Sequence, residues 1–317
     1  MGIVLLQMGG PSTPDDVEPF LLSLLSDPYI MGVPMAWLRH MIARRIVRTR
    51  APLVKERYRA IGGASPILAQ TRLQADALGR RFAGENWPIE IAMRYSQPDA
   101  AHALDRLLEN DVSHVIALPL YPQFSRATTG SSLNQLREDA HERGMSIVEM
   151  SSYPTLDGFI DTLAEQIDSR LPALDNPLVI YSAHGLPERA AKRDSYQVEV
   201  ERTAKALGER LPTGTTWTLA FQSRMGPVRW LKPYLDTTII EAAKSGVKEV
   251  VVVPISFVSE HIETLHELDI DLAKIAHRAG ITRFERIPTV QDSDMFMDAL
   301  ANLVYESFDR LRQGERV

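Results

Sequence analysis

Cysteine is absent from this 317-residue chain. Its absence excludes disulfides, thiolate zinc sites, cysteine-ligated iron–sulfur clusters and a cysteine nucleophile. Any metal must therefore rely on nitrogen and oxygen donors. No apolar run approaches the ~20 residues needed to span a bilayer. The start, Met1-Gly-Ile-Val-Leu-Leu-Gln, has neither a basic n-region nor a cleavage pattern, so no signal peptide is expected and the cytoplasm is the default location. Neither Gly-x-Gly-x-x-Gly nor Gly-x-x-x-x-Gly-Lys occurs at the candidate phosphate loops, which disfavours a nucleotide enzyme. A net charge of -6 argues against a nucleic-acid partner.

What is present is a globular composition, 44% hydrophobic and 24% charged. The length suits two ordinary domains or one large one. Short runs, most of them rich in Val, Ile and Leu, at 3–8, 89–94, 114–120, 146–150, 178–182, 216–221, 249–254 and 283–287 predict buried strands. Stretches with helical spacing lie between them, at 99–109, 132–143, 158–169 and 233–245. Strand alternating with helix predicts βαβ units and parallel sheets. The strands fall into two groups of four. The first strand of each group ends in a Gly turn closed by Pro, at Gly9-Gly10-Pro11 and Gly185-Leu186-Pro187. The expected fold is α/β: two Rossmann-like domains, each a four-stranded parallel sheet flanked by helices, with the active site in the inter-domain cleft. The domains are placed at 1–170 and 171–317, with the last helix, about 293–313, packing back on the first.

An insert at about 12–66 breaks the rhythm. It carries Phe20-Leu-Leu-Ser-Leu-Leu25 and Met31-Gly-Val-Pro-Met-Ala-Trp-Leu38, then Arg39, Arg44, Arg45, Arg48, Arg50, Lys55, Arg57 and Arg59 against the single acid Glu56. Such inserts are often lids. Apolar side chains beside a basic cluster suit a flat apolar ligand with carboxylates, or an anionic membrane surface. Composition alone rather favours an amphipathic helix packed on its own sheet with its arginines in water.

Two segments about eighty residues apart carry the ionisable groups: Tyr181-Ser-Ala-His-Gly-Leu-Pro187 and Pro254-Ile-Ser-Phe-Val-Ser-Glu-His-Ile-Glu-Thr-Leu-His-Glu267. Each follows a predicted strand, and ligands of open parallel sheets bind outside the carboxyl ends of the strands. His184, expected on a turn, can accept a proton near neutral pH. If the chain is helical from Ser259, then Glu263, Glu267 and Asp271 recur every four residues and line one face, a repulsive arrangement unless cations occupy it. His261 and His266 add ligand capacity. Taken singly, a His-Gly pair is more often a hydrogen-bonded loop histidine, and a carboxylate run a solvated face. In the first half, Thr128-Thr-Gly-Ser-Ser132 is rich in hydroxyls that could cap a helix or bind an anion.

Taken together and in order, several segments resemble the ferrochelatase family, which inserts ferrous iron into a porphyrin. They are Leu5-Leu-Gln-Met-Gly-Gly-Pro11, Tyr58-Arg-Ala-Ile-Gly-Gly-Ala-Ser-Pro66, Met93-Arg-Tyr95, Tyr121-Pro-Gln-Phe-Ser125, Ser182-Ala-His-Gly-Leu-Pro187, Phe221-Gln-Ser-Arg-Met-Gly-Pro-Val-Arg-Trp-Leu231 and 254–271. The resemblance is to the bacterial type without an iron–sulfur cluster. It implies a lyase of haem biosynthesis with no cofactor and with Fe(II) as substrate. By resemblance His184 is the catalytic histidine and Glu263 its partner carboxylate, both also metal ligands; proton and metal remain unassigned between them. His261, Glu267 and Asp271 resemble the metal or proton path. Met8, Arg59, Tyr95, Tyr121, Ser125 and Trp230 resemble positions around the porphyrin. The insert resembles the family's apolar lip, often linked to peripheral membrane contact. Gln7 stands where Asn is common, and His266 where Tyr is expected. Met8 resembles the branch that uses protoporphyrin, the other branch using coproporphyrin. Another tetrapyrrole chelatase and a non-catalytic tetrapyrrole carrier are the competing readings. The oligomeric state is left open.

Overall fold

The computed structural model describes residues 1–312; Gln313 of the expected last helix, and the stretch beyond it, lie outside the described residues. Eight strands form: β1 (Gly2–Gln7), β2 (Ile89–Met93), β3 (His114–Pro119), β4 (Ser146–Glu149), β5 (Leu178–His184), β6 (Trp217–Gln222), β7 (Glu249–Pro254) and β8 (Arg283–Arg286). They make two four-stranded sheets, ordered β2-β1-β3-β4 and β6-β5-β7-β8. Every pairing is parallel. β1, β3 and β7 read as largely apolar runs because both their faces are covered, whereas β8, Arg-Phe-Glu-Arg at the sheet edge, is polar and only half-buried. All of β1 is buried, as is all of β7 after Glu249.

The chain divides into two compact units. The first comprises 1–120, 125–152 and the chain from Leu300; the second comprises 121–124 and 153–299. The helix Asp157–Asp168, placed before the expected boundary at 170, thus counts with the second unit. There it meets the helix Tyr196–Gly208, and Arg210 pairs with both Asp157 and Asp161, at 2.7 and 2.9 Å.

In the first unit the helix Ala100–Leu108 shows how sequence becomes packing. Asp99 caps it, accepting from His102 N–H at 3.0 Å. Ala100, Ala103, Leu104 and Leu107 then fall on one stripe and are buried against Val4, Leu6 and Val115 of the sheet core. The last helix, Asp294–Arg312, brings Tyr305 and Phe308 to Trp87 in this unit, at centroid distances of 5.9 and 4.9 Å. In the second unit Leu235, Ile239 and Ala276 pack on Ile180, Val250 and Val252.

The long insert folds as the helices Val17–Ser26, Pro28–Met31 and Ala36–Ala60. The third buries only Ala43, Val47, Ala51 and Tyr58, a narrow stripe of mostly small side chains against Val17–Ser26. The packed face of this helix lies on a neighbouring helix of the insert. The helix packs on its own unit, yet Trp37 stays 68% exposed, with Met35 and Met41 also out in solvent. Arg39 is half-buried and donates to the carbonyls of Ser26 and Val33, both at 2.6 Å. Among the described residues no helix is long and apolar enough to cross a membrane.

One expectation needs correcting. The segment after β7 is not an α-helix from Ser259. Only Ile262–Leu265 is α-helical, and Glu267–Leu272 winds as a π-helix before α geometry resumes at Ala273–Ala279. The His266 carbonyl accepts from both Ile270 N and Asp271 N, at 3.1 and 3.0 Å, which marks where the extra residue enters the turn.

Candidate active site

In each sheet the chain starts at an inner strand, adds one neighbour, then crosses to the other side. The change of direction falls between β5 and β7 in the second unit, where a doubly wound sheet opens a binding crevice at its carboxyl edge. β5 runs one residue further than a turn at His184 would require, so His184 is its last strand residue rather than part of the turn. Its backbone N–H donates to Ser256 Oγ beyond β7 at 2.9 Å, and its carbonyl accepts from Tyr196 Oη at 2.9 Å. The turn then leaves sharply at Gly185. A Cβ there would stand 2.7 Å from the Gln222 carbonyl oxygen and 3.5 Å from Trp230 Cε3, so only glycine lets the chain pass.

The residues after β7 meet this strand end. Glu263 Oε2 lies 3.1 Å from His184 Nδ1 and 3.3 Å from His261 Nε2. Phe257 stacks edge-on against His261 at 4.4 Å and against His184 at 6.2 Å, giving both rings an apolar neighbour. His184 and Glu263 still keep 31% and 32% side-chain exposure, so a ligand can reach them. Burial alone would lower the His184 pKa, but the Glu263 carboxylate, with Glu267 behind it, holds it above the usual 6.5. Burial would likewise raise Glu263, but His184 and His261 hold it well below the carboxylate range.

Glu267 is held separately. Ser223 donates to its two oxygens, from N at 2.7 Å and from Oγ at 2.6 Å. Its pKa is raised, first by burial and then by the charge of Glu263. Gln222 links the two halves: it accepts from Ser182 Oγ at 2.6 Å and donates to the Glu263 carbonyl at 3.0 Å. Asp271 pairs instead with His266, at 3.3 Å. Among the described residues no group of three His, Asp or Glu side chains could hold a metal ion as they stand.

Of the other sequence candidates, Tyr121 and Trp230 belong to the second unit. Both are buried, and Trp230 Nε1 donates to the Met225 carbonyl at 2.8 Å. Trp230 also bridges to Pro187, which ties it to the turn after His184. Met8, Arg59, Tyr95 and Ser125 belong to the first unit. Met8 follows β1 and is partly buried, while Arg59 is exposed on its helix. Ser125 is buried and caps the next turn, accepting from Ala127 N at 3.2 Å. Tyr95 is buried with its hydroxyl donated to Asp27 at 2.9 Å. Asp27, Tyr196, Ser223 and Ser256 are not among the sequence candidates; Ser223 and Ser256 lie inside quoted segments without being singled out, and Asp27 and Tyr196 carry no local signal.

The ferrochelatase family model matches residues 1–308. The chain belongs to the ferrochelatase family. The chain is 43% identical over 311 residues to the ferrochelatase of Geotalea uraniireducens, covering 96% of this chain and 97% of that one. It is 40% identical over 323 residues to that of Synechococcus elongatus, with 98% and 84% covered. Among solved structures, SirB from Bacillus subtilis with Fe3+ superposes with a TM-score of 0.56 at 15% identity, covering 76% of this chain and 90% of that one. CbiX, described as the terminal enzyme for biosynthesis of siroheme in denitrifying bacteria, superposes at 0.52 and 14%, covering 96% and 99%. Those likenesses concern the fold. Ferrochelatase membership makes the chain a metal chelatase, a lyase.

Proposed function

We propose that this ferrochelatase inserts Fe(II) into protoporphyrin IX, forming protohaem and releasing two protons. The observation that carries the reading is the His184–Glu263–His261 cluster at the edge of the second sheet. A free-base porphyrin has two inward N–H protons, and iron enters only as both leave. That demands a base beside a site for a divalent cation. His184 is the proton acceptor in this reading, and Glu263 receives the metal or passes the proton on. Nitrogen and oxygen donors suit Fe(II), with geometry rather than raw affinity deciding among Fe, Co, Ni and Zn. Glu267, and then Asp271, extend the path. Iron is a substrate, so no redox cofactor is required.

Met8, in Gln-Met-Gly-Gly-Pro, supports protoporphyrin over coproporphyrin by its resemblance to the branch that uses it. Arg59, Tyr95, Tyr121, Ser125 and Trp230 are the further porphyrin contacts proposed, on their resemblance to the family's positions around the macrocycle. The exposed Trp37 and Met41 on an arginine-rich helix, with Met35 just before it, support a peripheral contact with anionic membranes. Vesicle co-sedimentation with Trp37→Ala as comparison tests that contact.

Anaerobic metallation, with Fe(II) offered to protoporphyrin and coproporphyrin in parallel and porphyrin absorbance followed, tests the main reading. Turnover of protoporphyrin is the expected result. Preference for coproporphyrin would move the enzyme to the other haem route. Stoichiometric porphyrin binding without metallation would leave a carrier.

A further inference from the structure

Two carboxylates on either side of the Glu263 segment end on one guanidinium. Arg286 closes β8 in register with Val252, and the next residue's N–H donates to the Val252 carbonyl at 2.9 Å. Its Nη1 donates to Glu260 Oε1 at 2.7 Å. Its Nε and Nη2 donate to the two oxygens of Asp269 at 2.5 and 2.7 Å. Glu260 immediately precedes His261, and Asp269 sits inside the π-turn. Glu260 Oε1 is further fixed by Thr289 N at 2.9 Å. The Arg286 and Glu260 side chains are only 11% and 8% exposed, so that half of the clamp is interior, while Asp269, 34% exposed, closes it from the surface with both of its oxygens.

A π-turn carries one residue more than the α geometry into which the chain would otherwise relax, and such turns concentrate at functional sites. Relaxation to α would rotate everything after His266 relative to Glu263. Within that turn Leu268 and Leu272 pack on the sheet and Ser223 holds Glu267, while Asp269 ties the turn to β8 by ion pairing and Glu260 ties the approach to it. A planar guanidinium holds two carboxylates along separate edges in fixed geometry; an ammonium cannot.

We propose that Arg286 is a positioning residue for metallation: by gripping Glu260 and Asp269 together it keeps the π-turn in register, and so keeps Glu263 and Glu267 at their working separation. This rests on the ferrochelatase reading of the site. Arg286 touches neither His184 nor Glu263 by any of these bonds and acts through the backbone it fixes.

The test is anaerobic Fe(II) insertion into protoporphyrin by the full chain, with porphyrin and Fe(II) varied separately. The variants are Arg286→Lys, Arg286→Met, Asp269→Asn and the Arg286→Met/Asp269→Asn double. Arg286→Lys keeps the charge and loses the fork; it should lower kcat about tenfold or more, with porphyrin KM within about twofold of wild type. Asp269→Asn should act in the same direction, and the double variant should be no slower than Arg286→Met alone. If Arg286→Met does not fold, Arg286→Lys and Asp269→Asn carry the test. Wild-type kcat per folded molecule in Arg286→Lys would overturn the proposal while leaving the ferrochelatase reading intact. A wild-type chain that binds porphyrin without metallating it would overturn both.

Discussion

His184 Nδ1 stands 3.1 Å from Glu263 Oε2, and the carboxylate is the main reason the imidazole holds its proton above the usual 6.5. To accept a pyrrole proton, His184 must first be neutral. Metallation should therefore rise with pH through a group titrating above 6.5. Glu263→Gln removes the stabilising charge and leaves the burial. The His184 pKa should then fall, which NMR titration of its ring in metal-free, porphyrin-free protein reads directly. Metallation should fall by about 10²-fold or more in the same variant. An unmoved His184 titration would show that Glu263 is not what holds the proton.

Glu267 has the opposite relation to its surroundings. Burial and the Glu263 charge raise its pKa above the ordinary 4.5. A carboxyl raised on folding contributes stability while protonated, below the unfolded value. It loses that contribution as pH rises through the folded value. At pH 7 to 8 the ionised Glu267 thus costs stability despite its two bonds from Ser223. Glu267→Gln should raise the melting temperature of metal-free protein at pH 8 and change it little at pH 4. Equal shifts at both pH values would rule out ionisation as the cause. A gain in stability with a loss of metallation is the usual trade at a working site.

The inner strands were legible because a β-branched run covered on both faces leaves no polar residue to confuse the pattern, as in Val250-Val-Val-Val253 of β7. The meeting of His184 with the 254–271 segment followed from strand ends alone. The π-turn did not. Ile262, Leu265, Leu268 and Leu272 recur at helical spacing, and the extra residue is imposed from outside, where Arg286 takes Asp269 and Ser223 takes Glu267. Ser223 adopts φ 65°, which nothing about a serine announces. Asp27 was equally silent, since Arg94 and Ser131 lie 67 and 104 residues away in sequence.

Asp27 links the insert to the rest of the first unit. Its carboxylate accepts from Arg94 at 2.7 Å, Tyr95 at 2.9 Å and Ser131 at 2.6 Å, and its side chain is 1% exposed. Removing it strands a largely buried guanidinium. Asp27→Ala should cost about 3–5 kcal/mol, and Asp27→Asn less, since the amide oxygen can still accept from Ser131. Urea unfolding measures both. Equal stability of Asp27→Ala and wild type would mean the network is not holding the insert.

Two helical glycines should respond to alanine in opposite directions. Gly79 lies within Ile67–Arg81, and a Cβ there meets nothing within 4 Å. Alanine restricts the unfolded chain and suits a helix, so Gly79→Ala should stabilise by about 0.4–1 kcal/mol. Gly158, near the start of Asp157–Asp168, gains the same helical benefit. A Cβ there, however, collides with the Met295 carbonyl oxygen and lies 2.6 Å from Ala299 Cβ. Backbone cannot swing aside as a long side chain can, so the last helix must shift. Gly158→Ala should therefore destabilise by about 1–3 kcal/mol. Thermal unfolding of the two variants beside wild type decides the matter. If both glycines shifted the transition in the same direction, helix propensity rather than close packing would govern position 158.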